Sequence, residues 1–221
     1  MATKNSRYAV VISAMFFVNG AVFANWLPRV DEVRDRIGVT NGGLGVALLG
    51  GGLGGVLASF VIAALLIRFS ALAVLRVSST LLALAFPILA LVPSQSTLLL
   101  LVALFGFLDV FCDLSMNAEA AAVQRVTTNS IMQRVHGMWS LGFLTGAVVG
   151  WAASVANVPL GVHLTVTTIV LLVVTHVAIF QLRGLDVEPQ TVTSPTTVRF
   201  SAAVLSIVLL SLATAAFEIT P

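Results

Sequence analysis

Charge is what this sequence lacks most. Lys and Arg number 11 and Asp and Glu nine, so 9% of its 221 residues are charged, where a soluble domain carries roughly 25%. That scarcity excludes a soluble globule of this size. The net charge of +2 is small, and no Lys/Arg run is interleaved with aromatic residues, which excludes nucleic acid as a partner. Cysteine is nearly absent as well. Cys112 stands alone inside an apolar stretch, which excludes a disulfide framework, a thiol pair and a cysteine metal site. The sequence also lacks a nucleophile with a histidine base, a His/Cys ligand cluster and a phosphate-cradling loop. It therefore points away from an enzyme and asks for no metal or other cofactor.

What is present is apolar surface. Hydrophobic residues make up 58% of the chain and glycine adds 17 positions; with a mean hydropathy of +1.06, the main solvent is lipid. Apolar runs of at least about 17 residues predict spans at 8–28, 44–67, 77–93, 97–123, 137–156, 162–182 and 200–218. Seven helices of about 20 residues fill roughly 140 positions, so the length admits six or seven crossings and not twelve. The first run follows Lys4 and Arg7 and has small residues near Ala24. It is longer than a signal-peptide core and further spans follow it, which predicts an uncleaved first helix.

Placing the N-terminus in the cytoplasm puts Lys4, Arg7, Arg68, Arg76, Arg125, Arg134, Arg183 and Arg199 inside, and Arg29, Arg34 and Arg36 outside. That asymmetry satisfies the positive-inside rule. The expectation is a multi-pass plasma-membrane protein with a cytoplasmic N-terminus. Residues 183–199 (RGLDVEPQTVTSPTTVR) are polar and carry Pro189 and Pro195, which reads as an extended linker. Three parts follow: a six-span bundle over 1–182, a cytoplasmic linker over 183–199, and a seventh span over 200–221 that opens a second, incomplete half.

The second and fifth spans look alike. The second holds Gly45, Gly50, Gly51, Gly52, Gly54 and Gly55, and the fifth holds Gly142, Gly146 and Gly150. Glycines four apart share one helix face and admit another helix closely, so Gly50, Gly54, Gly142, Gly146 and Gly150 are assigned to helix packing. The second and fifth spans are also equivalent members if the six-helix bundle is built from two three-helix repeats of inverted topology. The fold class is all-α and polytopic.

Four charged residues fall within spans, all of them acidic: Asp109, Asp113, Glu119 and Glu218. A carboxylate at mid-membrane costs roughly 2.5–3.5 kcal/mol on insertion scales. Such groups are expected to face the bundle interior or a wet cavity, protonated or paired. Asp109, Asp113 and Asn117 follow at four-residue steps that drift only about 40° each, which makes one polar stripe about 12 Å long. Asp109 or Asp113 then serves a proton or substrate pathway, or merely pairs with an arginine or donates to a backbone carbonyl inside the bundle. Glu119 lies about 240° from Asp113 around the helix, within reach of Arg68, Arg76 or Arg125, and an ion pair is expected for it. Asn19 at mid-span either lines the same cavity or bonds a neighbouring helix. His163 and His176 sit toward opposite ends of the sixth span, about 220° apart, and are expected to pack rather than share a site. Trp26 and Trp139 fit anchoring at the membrane interface.

The stretch GFLDVFCDLSMNAEAAAVQR and the later HGMWSLGFLTGA resemble the major facilitator superfamily, and within it the bacterial branch akin to the fucose permeases. Asp113, Met116, Asn117 and Ala118 match that branch's fourth-span motif, and His136, Gly137, Trp139, Ser140 and Gly142 match the opening of its fifth span. The first span and its loop, NGAVFANWLPRVDEVRDRIGVTNGGLG, also look like the family's opening. The superfamily's loop between spans two and three is kept only in part. Arg68 and Arg76 remain, but Ile67 stands where Asp is usual and Ser70 where Gly is usual. The fifth span lacks the proline of the antiporter signature, which argues against drug export.

The resemblance implies one six-helix half of a proton-coupled importer of a small polar solute such as a sugar. Asp109, Asp113, Asn117, Asn19 and Glu218 would line its substrate and H+ pathway, and Arg68, Arg76, Glu119 and His136 would serve gating or structure. Its partners would be the solute, H+, the lipid bilayer and a second six-helix half on the same or another chain. The alternative is a truncated or non-transporting membrane protein that acts only by association with another bundle.

Overall fold

A long apolar run in lipid leaves the backbone no hydrogen-bond partner but itself, and a helix satisfies every amide within the run. A computed structural model describes residues 2–126 and 130–182, all within one unit, Met1–Pro189. The helices are α1 (Ala2–Trp26), α2 (Val30–Ile37), α3 (Asn41–Arg68), α4 (Ala71–Ala85), α5 (Gln95–Val126), α6 (Met132–Val155) and α7 (Leu160–Leu182). Six segments are long and apolar enough to cross a membrane, the first running from Arg7 through α2 to Ile37. The expected linker 183–199 and seventh span 200–218 lie outside the described residues.

Local chemistry sets the helix ends. Pro28 sits in a 3-10 turn, Leu27–Arg29, that closes α1, and Pro87 in another, Phe86–Ala90, that closes α4, since proline cannot supply the next helical N–H. Thr40 Oγ1 accepts from the Gly43 amide at 3.1 Å to open α3, and Ser70 Oγ accepts from the Ala73 amide at 3.2 Å to open α4, each the work of an N-cap side chain. The segment after the first span, read from sequence as a plain outer loop, contains α2. Its Val30, Val33 and Ile37 fall on one face, and Gly38, at φ 68°, supplies the left-handed C-cap.

Two pairs of parallel helices make the tightest contacts: α1 with α6, and α3 with α5. Each contact is a glycine against backbone. A Cβ built on Gly50 would overlap the Leu99 carbonyl, on Gly54 the Ala103 carbonyl, and on Gly106 the Gly51 carbonyl. In the other pair, Gly142 lies on Phe17, Gly146 on Ala21, Gly150 on Asn25 and Gly20 on Trp139 in the same way. Exchanging α1, α3 and α4 for α5, α6 and α7 maps the α1–α6 contact onto α5–α3, and the α4–α5 contact onto α7–α1. That invariance is the pattern of two inverted three-helix repeats.

The core is aromatic and aliphatic. Phe86 stacks on Phe105 with centroids 4.8 Å apart, and Trp26 meets Phe105 edge-on at 6.5 Å. Trp26 is 5% exposed and is no interface anchor: its ring is buried in the core against Phe105. By contrast α3 and α6 leave Leu49, Leu53, Phe60, Leu144, Val148 and Trp151 exposed.

At the end of the bundle that carries α2, arginines tie the connections together. Arg36 donates to the Leu89 and Ala90 carbonyls at 2.5 and 2.7 Å. Arg29 pairs with Glu32 through two 2.7 Å bonds and donates to the Val158 carbonyl at 2.7 Å. Ser154 then donates to Glu32 at 2.9 Å.

Candidate functional site

The polar stripe of α5 does not face a blank wall. Asn117 Nδ2 donates to the Asp113 carboxylate at 3.0 Å and to the Asp113 carbonyl at 2.9 Å, so the amide and the acid are locked one turn apart. One turn the other way, the Asp109 carboxyl feels Asp113 and lies within hydrogen-bonding reach of the Asn19 amide on α1. Asn19 Oδ1 in turn accepts the indole N–H of Trp139, on α6, at 2.9 Å. His136, one helical turn before Trp139, acts electrostatically on Asp113 and rests edge-on against Phe16 at 5.5 Å. Three helices thus deliver two carboxyls, two amides, an indole and an imidazole to one patch.

The glycine contacts explain why these groups meet. Gly20, adjacent to Asn19, lets the α6 backbone at Trp139 press against α1, which leaves Asn19 and the indole no distance to span. Behind Asn19 lies a cavity of about 30 Å³ between α1, α4, α5 and α7, with Ser79, Thr175 and Cys112 on its wall. That is room for about one or two waters. Such a patch can accept hydrogen bonds from hydroxyls, donate from amides, and take up or release a proton.

The other predicted residues fall elsewhere. Glu119 makes no ion pair: among the described residues the ion pairs are Arg29–Glu32, Arg34–Asp31 and Arg34–Asp35. Arg125 acts on Glu119 from a distance, and the Leu72 amide in the first turn of α4 faces its carboxyl. The start of a helix presents unbonded N–H groups and a positive dipole end, so the Leu72 amide adds to the longer-range attraction of Arg125 where no direct ion pair is made. Among the described residues neither Asp109 nor Asp113 pairs with an arginine. Arg68 is exposed, with its guanidinium 5.8 Å from the Phe69 ring, and Arg76 is half-buried on α4. Glu218 lies outside the described residues. His176 bonds Thr80 and the Leu172 carbonyl, at 3.2 and 2.8 Å, whereas His163 is buried at the α2 end, so the two are apart.

Sequence reasoning missed Trp139 as part of this patch. It is half-buried and hydrogen-bonded to Asn19. The available signal was its place three residues after His136, one turn along the same span.

No family model matches the chain. It is 30% identical over 158 residues to an uncharacterized transporter of Sinorhizobium fredii, covering 72% of this chain and 42% of that one. An uncharacterized MFS-type transporter of Yersinia pestis is 31% identical over 132 residues, 60% of this chain and 34% of its own length. The membrane protein MosC of Rhizobium meliloti is 31% identical over 139 residues, with shares of 61% and 33%. The chain thus spans less than half the length of these relatives. Among solved structures, the nucleoside transporter NupG superposes with a TM-score of 0.70 at 14% identity, over 94% of this chain and 52% of NupG, a likeness of fold. Six apolar helices in two inverted repeats, NupG's fold and the shared sequence with an MFS-type transporter together show that the chain belongs to the major facilitator superfamily.

Proposed function

We propose that the chain is the N-terminal half of a secondary active transporter that moves a small polar solute, such as a sugar, together with H+. The observation that carries this reading is the convergence of Asp109, Asp113, Asn117 and Asn19 at the junction of α1, α5 and α6. Ionisable groups inside a membrane bundle are expensive, and a wet pathway is their usual purpose. Amides and carboxylates side by side suit a polyhydroxylated ligand, which offers both donors and acceptors. His136 extends the patch, and Glu218 is a further candidate on the seventh span.

Alternating access requires two bundles rocking about a shared site, so a second six-helix half, from the same or another chain, completes the transporter. The exposed apolar faces of α3 and α6 offer it a surface. The arginine asymmetry supports a plasma-membrane location with the N-terminus in the cytoplasm. The test is solute uptake by the intact gene product, comparing Asp109→Asn and Asp113→Asn with the natural sequence from about pH 5 to 8. Loss of at least about tenfold in proton-driven uptake is expected for one or both. Natural transport by both variants across that range would overturn the site. Failure of the natural sequence to transport any solute would favour a protein that acts only by association.

A further inference from the structure

The proposed pathway leaves one polar contact without a role. The Trp139 indole donates to Asn19 Oδ1 at 2.9 Å, and Asn19 in turn reaches Asp109. An amide side chain has one accepting and one donating end, and nothing in its shape prefers one over the other. An indole N–H can only donate. Facing Asn19, it therefore binds the carbonyl end and turns the NH2 end away, toward α5. Donation to an ionised carboxylate is roughly twice as strong as a neutral hydrogen bond.

We infer that Trp139 is a positioning residue: its indole N–H fixes the orientation of the Asn19 amide, so that Asp109 always meets a donor. The inference rests on the reading of Asp109 as a pathway carboxyl. Several features hold the indole in place. The ring packs on Phe143 with centroids 5.4 Å apart, and the Trp139 backbone is pinned where Gly20 of α1 presses on it. The titratable groups near Asp109 are few. Asp113 and Cys112 share its helix and act on it or feel it. His136 on α6 acts on Asp113, α1 supplies the non-titrating Asn19, and α3 carries no charge between Asn41 and Arg68. The state of the amide is thus the main local variable that a neighbouring helix imposes on this carboxyl.

The experiment reads Asp109 directly, without transport. The 221-residue chain in lipid nanodiscs is treated with dicyclohexylcarbodiimide, which modifies protonated carboxyls in apolar surroundings, and labelling of Asp109 is followed by peptide mass spectrometry across about pH 5 to 9. Trp139→Phe keeps the ring and removes the N–H. It is expected to change the labelling rate at about pH 7.5 by at least about threefold, the scale of one lost hydrogen bond, and to displace the pH profile. Asn19→Leu is expected to do at least as much, and adding Trp139→Phe to Asn19→Leu to do nothing further. A Trp139→Phe profile that superimposes on the natural one would overturn the inference, as would an additive double variant or an Asp109 unlabelled in every form. Because labelling needs no solute, an absence of transport with these shifts intact would count against the proposed function alone. Should Trp139→Phe fail to fold, 3-benzothienylalanine incorporated at position 139, which keeps the bicyclic shape and lacks only the N–H, must displace the profile; an unchanged profile would overturn the inference.

Discussion

At the scale of single residues, the most deeply buried charge at the α2 end is Arg29. It is 2% exposed, whereas its partner Glu32 is 38% exposed, so the two are not equivalent losses. Removing the arginine leaves an acid that water can reach. Removing the acid leaves a guanidinium enclosed with only the Val158 carbonyl as acceptor, and an uncompensated buried charge costs about 3 kcal/mol or more. Glu32→Ala is therefore expected to lower the apparent unfolding temperature in detergent well beyond Arg29→Met. Ser154→Ala, which gives up one hydrogen bond, should cost about 1 kcal/mol. Equal melting of the natural chain and Glu32→Ala would show that the pair holds nothing. Little of this was legible in the sequence, where Arg29, Arg34 and Arg36 counted only as charges on one side of a membrane. Ser154 lies 122 positions from Glu32, and no periodicity within one segment announces such a meeting. Asn19 and Trp139, 120 positions apart, were hidden for the same reason.

At the scale of helices, the glycines sort into two kinds that composition alone does not separate. Gly54 and Gly146 have another helix's backbone where a Cβ would stand, whereas Gly45 and Gly52, on the same helix as Gly54, meet nothing within 4 Å. Alanine at Gly54 or Gly146 must push two helices apart, and overpacking of this kind costs about 1–3 kcal/mol. Alanine at Gly52 instead gains helix propensity, worth up to about 1 kcal/mol. Thermal denaturation followed by size-exclusion chromatography should thus move in opposite directions for the two sets. Destabilisation of both sets alike would contradict the parallel pairing of α3 with α5. The spans themselves were legible because an apolar run of this length in lipid has one outcome. The short helix α2 was not, although Val30, Val33, Ile37 and Gly38 carry its pattern, because a polar stretch between two spans reads first as connection. Glu119 was expected in a direct ion pair; Arg125 does act on it, but from beyond ion-pair distance, and the Leu72 amide at the start of α4 is its nearer polar neighbour.

At the scale of the whole molecule, orientation is the property on which every functional statement depends, and it is open to a direct measurement. If the arginine asymmetry sets the topology, α2 faces out and the segment before α6 faces in. Asp35→Cys should react with a membrane-impermeant maleimide on intact cells, and Ser130→Cys only after permeabilisation; the reverse pattern would invert the molecule. The inverted repeats were visible in the sequence as two glycine-rich spans, three apart, but the exchange that relates all six helices needed their contacts. One buried contact bears on all such measurements. Cys112 is 2% exposed and donates its thiol to Ser78 at 3.2 Å, and it is the chain's sole cysteine. These 221 residues are therefore silent toward water-borne thiol reagents, offer no exposed sulfur for a crosslink, and serve unaltered as the dark background against which any cysteine introduced into them reports its own surroundings.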